Sequence, residues 1–375
     1  MSDSTFEPGH KKSRKGCKQC RRKHVKCDER IPCGRCVRRK EECDLLVPQR
    51  LASEDSLTQE SVETLNRLIY VMHHYTLYTA DSLIDNAEIQ RLWKYVFPEE
   101  ALRHPFLTQG LLAISALHLT STRPIERLIW TPLALKHQSR ALQLFRATLP
   151  CVNQENCHAQ FALSILISVT SMAFCSYGTA LGPGQSLPIN DVTEAFTLIR
   201  GVGELLSVAT EWLTAGPLST ILTTHFEDAP ENSATNRVID LSPIKNLSRM
   251  VQEMCPDLDV QRDLYSSIHI LEYVYSQVLK GQGREIGKNP GVGWQWPSGV
   301  SPGYTALLLD SHGGALVIYA HFSLLSYTWR DKWYLNGWAE RSIAAIVKHL
   351  SSEWLQWVEW PIEQVKNGFP IFKEE

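Results

Sequence analysis

A small cysteine-rich module with two short helices, followed by a large all-α body, is the fold class that this sequence predicts. Three observations predict it. Six cysteines, at positions 17, 20, 27, 33, 36 and 43, fall within 27 residues. Their gaps repeat: C-x2-C-x6-C, five residues, then C-x2-C-x6-C, so the second half copies the first. From about Thr58 onward apolar residues recur at helical spacing, and clean strand alternation is absent.

Ligand counting gives the chemistry of the module. Soft, all-thiolate donors select zinc, and structural zinc takes four ligands in a tetrahedron. Two zincs need eight ligand places, but the stretch offers six sulfurs. Two sulfurs must therefore bridge. The repeat makes Cys17 and Cys33, the first cysteine of each half, the natural bridges, and leaves Cys20, Cys27, Cys36 and Cys43 as terminal ligands. So short a segment cannot fold on apolar burial alone, and metal binding supplies its folding free energy. A disulfide framework would suit a secreted protein, but the N-terminus MSDSTFEPGH lacks the apolar run of a signal peptide. A metallothionein-like buffer would not need interleaved Arg and Lys. A RING or LIM site would normally use histidine and longer gaps.

The residues between the cysteines are basic: Lys18, Arg21, Arg22, Lys23, His24 and Lys26, then Arg35, Arg38, Arg39 and Lys40. From Lys11 to Arg50, fifteen Lys and Arg stand against five Asp and Glu, while the whole chain carries only −2. Charge so unevenly placed points to a nucleic-acid-binding head on an acidic body. The run KKSRK, Lys11 to Lys15, abuts the cluster and reads as a phosphate-touching arm and a nuclear import signal.

The stretch CRRKHVKCDE, followed by a proline and the second C-x2-C, resembles the DNA-binding domain of the fungal binuclear zinc cluster transcription factors. The resemblance implies two short helices around two Zn2+ ions, a nuclear protein, and double-stranded DNA as partner. In that family the helix after the second cysteine enters the major groove and reads a CGG-type triplet. Here that helix falls on about Lys18 to His24. Base-edge contacts are expected from it, and phosphate contacts from Lys11, Lys12, Arg14, Arg35, Arg38 and Lys40. Lys26 completes the basic set between the cysteines. His24 stands where many members have Lys or Arg, and the loop Asp28 to Pro32 is at the short end of the family range. A proline there often follows a cis peptide.

The expected organisation is a basic arm at 1–16, the cluster at 17–43, a linker at 44–57 and an all-α regulatory domain at 58–375. The linker DLLVPQRLASEDSL carries Pro48 and no sustained heptad, so no coiled coil is expected there. Beyond it, Val62, Leu65, Leu68, Ile69 and Met72 recur at helical spacing. Asp85 is placed to cap a helix that Pro98 ends; Pro124 and Pro132 punctuate; Leu133 to Leu149 is amphipathic. Phe161 to Tyr177 has no charge for 17 residues. It is short for a membrane span and rich in Ser and Thr, so it reads as the buried central helix of a bundle. Gly182 to Gly184 breaks the chain, Asp191 is a candidate cap, and Gly201 and Gly203 read as turn or close-packing glycines. Loops are expected at Phe226 to Pro243 and at Gly281 to Gly303, with a helix at Val260 to Leu279 between them. Helices rich in Trp close the chain: Trp329, Trp333, Trp338, Trp354, Trp357 and Trp360.

Cys151, Cys157, Cys175 and Cys255 have no ligand spacing and read as reduced core residues, as His74 and His118 read as partly buried structural histidines. No nucleophile elbow, metalloprotease, Walker or dinucleotide fingerprint occurs, so an enzyme is not expected. The body stretches MHHYTLYTAD, HPFLTQGLLAISALHL, FTLIRGVGELL and WYLNGWAE resemble the helical regulatory domain of filamentous-fungal cluster proteins similar to sterol uptake regulators. The implied function is a zinc-dependent, sequence-specific transcription factor of RNA polymerase II genes, working with the transcription machinery. The alternative is a sensor whose helical body takes an apolar, sterol-like molecule.

Overall fold

Local capping explains why the cysteine-rich segment forms two short helices. In the computed structural model, which describes residues 15–45, 47–178, 187–223, 241–280 and 289–368, α1 spans Lys18–Arg22 and α2 spans Gly34–Arg39. Each starts directly after a cysteine whose sulfur caps it: Cys17 Sγ accepts from the Cys20 amide at 3.3 Å, and Cys33 Sγ from the Cys36 amide at 3.4 Å. Each segment then turns through a left-handed residue, His24 with φ 52° and Lys40 with φ 54°. The groove helix expected to reach His24 therefore stops earlier. Lys23 caps it, and His24 lies beyond it in the turn. Ile31–Pro32 is cis.

The chain divides into two compact units, 1–70 and 71–375. Among the described residues there is no strand. The stretch expected to be a linker is helical from Val47, the first residue of α3 (Val47–His74). Pro48 does not prevent this, because the first turn of a helix leaves its N–H groups without internal partners anyway. Val62, Leu65 and Ile69, expected to pack, are instead 54%, 56% and 58% exposed. They precede the body unit, which begins at Val71.

The body is built from α4 (Pro105–Thr122), α5 (Arg127–Thr148), α6 (Cys157–Ala173), α7 (Ile189–Thr214), α8 (Ser242–Met254), α9 (Leu258–Lys280), α10 (Gly291–Gly299), α11 (Pro302–Leu309), α12 (Gly313–Ser326), α13 (Trp338–His349) and α14 (Glu359–Lys366). The uncharged run forms α6 and one wide turn beyond it, as a core helix. By length and composition the stretch Cys157–Tyr177 could cross a membrane, but 89% of its apolar window is buried inside the protein. Two guanidinium groups meet its carbonyl end, where the helix dipole is negative: Arg341 Nη1 donates to the carbonyls of Cys175 and Ser176 at 2.8 and 2.9 Å, and Arg127 donates to that of Tyr177. Buried α12 anchors the other half. Around it Phe196, Trp296, Tyr304, Tyr319 and Phe322 form one aromatic knot. Its polar tips are satisfied by backbone carbonyls: Trp296 Nε1 donates to Ser267, Tyr304 to Ala315 and Tyr319 to Val192.

Several local expectations are corrected by geometry. Asn86, not Asp85, caps the helix Ala87–Arg91, because its side chain accepts from both the Glu88 and Ile89 amides at 3.0 Å. Asp85 accepts instead from Lys332 Nζ at 2.6 Å. Pro98 opens the helix Phe97–Arg103 rather than ending one. Pro132 lies inside α5, which starts at Arg127. Trp294 and Trp296, expected in a loop, sit on α10. Cys151 is exposed, whereas Cys157, Cys175 and Cys255 are buried. The break at Gly182 to Gly184 and most of the loop expected from Phe226 lie outside the described residues.

Gly201 and Gly203 are both interior to α7, and their surroundings differ. A Cβ on Gly203 would lie 2.7 Å from Ser298 Cβ, whereas one on Gly201 meets nothing within 4 Å. Gly201→Ala is therefore expected to raise stability by about 0.5–1 kcal/mol through helix propensity. Gly203→Ala is expected to lower it by about 1–3 kcal/mol through overpacking against α10. Urea melts of the two variants check both signs.

Candidate metal centre and nucleic-acid face

All six cluster cysteines are buried together, with Val25 and Leu45 as their apolar neighbours among the described residues. Cys17 Sγ lies 3.8 Å from Cys33 Sγ and 3.7 Å from Cys36 Sγ, and Cys20 Sγ lies 3.8 Å from Cys33 Sγ. A tetrahedron with zinc–sulfur bonds of about 2.3 Å has sulfur–sulfur edges of roughly 3.8 Å. The spacing therefore fits two tetrahedra, and Cys17 and Cys33 have neighbours on both sides. Cys17, Cys20, Cys33 and Cys36 come within 4.8 Å of one another at their ligand atoms. Cys27 is hydrogen-bonded to Cys17 and Cys33, and Cys43 to Cys33 and Cys36.

Backbone amides treat the sulfurs unequally. Burial opposes ionisation of Cys27 and Cys43. The amides of Cys17 and Glu29 outweigh it at Cys27, and those of Cys33 and Leu45 at Cys43, so both thiols are held below the ordinary range. Burial, reinforced by the thiols of Cys17 and Cys33, pushes Cys20 up to about 12 and raises Cys36 as well. Without a metal's charge, Cys20 and Cys36 are thiols at neutral pH.

The sulfur repeat extends into the hydrogen bonds at an offset of 16 residues. The Val25 amide donates to the Cys20 carbonyl and the Glu41 amide to that of Cys36, both at 3.0 Å. The carboxylates do the same across the two halves. Asp28, which follows the last cysteine of the first half, accepts from the Gly34 amide at the start of α2, at 3.0 and 3.1 Å. Asp44, which follows the last cysteine of the second half, accepts from the Lys18 amide at the start of α1, at 2.8 Å. Each half thus caps the other's helix. The approach is tight enough at α2 that a Cβ on Gly34 would lie 2.7 Å from Asp28 Oδ2. Sequence reading missed both aspartates, although the repeated Cys-Asp pair was there to be seen.

The basic residues lie around the outside of this centre. Lys18, Arg21, Arg22, Lys23, His24, Lys26, Arg38 and Lys40 are exposed, and Arg35 is half-buried. Lys11, Lys12 and Arg14 fall outside the described residues. The Lys23 ammonium on this rim is paired with Glu41. A surface of this kind presents cations to a polyanion.

Such a module defines a zinc-organised DNA-binding regulator. Residues 15–52 match the fungal Zn(2)-Cys(6) binuclear cluster domain, a two-zinc module, and residues 70–186 match the fungal specific transcription factor domain. The chain thus carries a binuclear cluster domain and a fungal specific transcription factor domain, and the relatives it matches are transcription factors and sterol uptake control proteins, not enzymes. A Zn(2)-C6 fungal-type transcription factor of Gibberella zeae is 22% identical over 94% of this chain and 85% of its own length. Sterol uptake control protein 2 of Candida albicans is 32% identical over 40% of this chain and 21% of its own length. The Zn(2)-C6 fungal-type transcription factor afumD of Aspergillus fumigatus is 26% identical over 54% of this chain and 56% of its own length.

Two outcomes follow from this geometry. Adding zinc to the apo form at neutral pH releases protons, because thiols raised by burial must ionise to bind; calorimetry in buffers of different ionisation enthalpy reads the number. Asp44→Ala removes the α1 cap and is expected to cost about 1 kcal/mol, read as easier zinc loss to a chelator.

Proposed function

We propose that the protein is a nuclear, sequence-specific regulator of RNA polymerase II genes, with a cluster at 17–43 and a helical regulatory body that acts with the transcription machinery. Cys17, Cys20, Cys27 and Cys33 hold one zinc, and Cys17, Cys33, Cys36 and Cys43 the other. The observation that carries this is the sulfur spacing, which suits two tetrahedra sharing an edge. When bound, the metal fixes α1 and α2 relative to each other. Lys18, Arg21, Arg22 and Lys23 on and beside α1 then meet the major groove of a CGG-type triplet. His24 reaches it from the turn, and Lys26, Arg35, Arg38 and Lys40 supply phosphate contacts. The basic arm at 1–16 supports nuclear import. The test is selection of bound DNA from a random pool by the full chain. A CGG-containing sequence, recovered without chelator and lost with it, is the expected result.

A second reading is favoured by one observation in the body. A cavity of about 520 Å³ is lined by Trp93, Phe161, Ile165, Val202, Trp294 and Tyr334, among others, and among the described residues no charged side chain lines it. A neutral, rigid apolar molecule suits such walls, and a carboxylate or an amine does not. Two of the relatives are sterol uptake control proteins, and a sterol is of this chemistry. Tryptophan fluorescence should respond to a neutral sterol and not to a fatty acid of similar size. Ile165→Trp, which narrows the cavity, should weaken the response. Equal responses to both probes would refute a neutral-ligand site.

A further inference from the structure

Four acidic groups of the cluster have distinct partners. Asp28 and Asp44 cap helices, and Glu29 accepts from the Lys15 amide. Glu41 instead reaches across from the second half to the Lys23 ammonium at the end of α1. It is an acidic group set among basic ones. Both partners remain partly exposed, 35% and 29% at their side chains, so both stay within reach of a ligand. The 16-residue repeat does not require the pair. Its equivalent in the other direction would join Arg39 to Val25, and Val25 packs against the sulfurs. The pair occurs once, and it breaks the symmetry of the cluster on the half that carries α1.

We infer that Glu41 is a specificity-determining residue of the DNA face, which holds Lys23 away from phosphate and presents the pair to a G·C base edge. This rests on the DNA-binding reading. The reasoning is an exchange of acceptors. A lysine without a partner takes any phosphate, and phosphates carry no sequence information. If Lys23 leaves Glu41 for a phosphate, one anionic acceptor replaces another and Glu41 is left facing the negative backbone. At a G·C pair the outcome differs. The ammonium donates to guanine O6 or N7, and the carboxylate beside it accepts from the neighbouring cytosine N4 amino group. Donor and acceptor are then both satisfied, as they cannot be at a phosphate, which only accepts. Glu41 thus lowers affinity for DNA in general and spares the cognate site.

The experiment uses the zinc-loaded full chain and two duplexes, one recovered by wild type from a random pool and one of the same composition with its sequence shuffled. Glu41→Gln keeps the shape and removes the charge. It is expected to tighten binding to the shuffled duplex about tenfold and to change binding to the recovered one much less. The slope of log affinity against log salt on the shuffled duplex should steepen by about one, the signature of one added phosphate contact. Glu41→Asp keeps the charge but shortens the reach, and should lose discrimination as Glu41→Gln does. Lys23→Gln should weaken the recovered duplex and make the further change Glu41→Gln nearly silent. A zinc content of two per chain in each variant shows that the cluster has formed. If Glu41→Gln shifts both duplexes by one factor, or Glu41→Asp behaves as wild type, Glu41 is only a background charge and the inference fails. A wild type that prefers no duplex overturns the DNA reading itself, and this inference with it.

Discussion

Sulfur does in the N-terminal module what apolar side chains do elsewhere in the chain. Among the described residues only Val25 and Leu45 pack against the six cysteines, too little burial to offset the entropy of ordering this segment. The sulfurs are buried at the spacing of tetrahedral edges, and the backbone is arranged around that requirement. Cys17 and Cys33 both begin helices because their sulfurs cap them. Both helices give way to left-handed turns, which return the chain to the third cysteine of each half. Everything the module offers to a partner hangs on this frame. The basic residues are placed by α1, α2 and the two turns, and none of these has a core of its own.

The two halves copy each other in ligands, caps and turns, but not in charge. Asp28 and Asp44 exchange places, each closing the helix of the opposite half. The helices are thereby coupled to each other as well as to the metal centre, and neither is complete alone. Symmetry ends at the rim. Lys23 has a carboxylate partner from the other half, whereas at the equivalent place the repeat offers Val25. A pseudo-symmetric fold can in this way present an asymmetric surface. Reading a directional sequence such as one base triplet requires that asymmetry.

The cluster was legible because ligand chemistry fixes spacing, and spacing survives in one dimension. Its caps were less so. Asp28 and Asp44 act across the pseudo-twofold, and no local rule points 26 residues back from Asp44 to Lys18. In the body, periodicity and low charge gave the class and the buried helix α6, since both follow from composition along one segment. The exceptions share a cause. Pro48, Pro98 and Pro132 were read as breaks, yet a proline near a helix start loses little, and a start cannot be located from the proline alone. Val62, Leu65 and Ile69 have the spacing of a packed face and are exposed, because what covers a face is a matter of topology. Gly201 and Gly203 look alike in sequence, and only the nearness of Ser298 separates them.

The two units answer to different physical variables. The cluster unit is built on six buried cysteines and carries cations on its rim. Acid, chelator and salt therefore act on it directly. Among the described residues the body's cavity is walled by apolar and neutral polar groups, and the charged groups named in the fold are committed elsewhere: Arg341 and Arg127 to the carbonyl end of α6, Lys332 to Asp85. Ionic strength has little purchase on such a wall, whereas an apolar molecule has much. Two walls of the cavity come from α7 and α10, which meet at Gly203 and Ser298 with no space to spare. A well-packed contact of this kind transmits displacement rather than absorbing it. Occupancy of the cavity would bear on the aromatic knot through α10, since Trp294 faces the cavity and Trp296, two residues on, is fully buried in that knot.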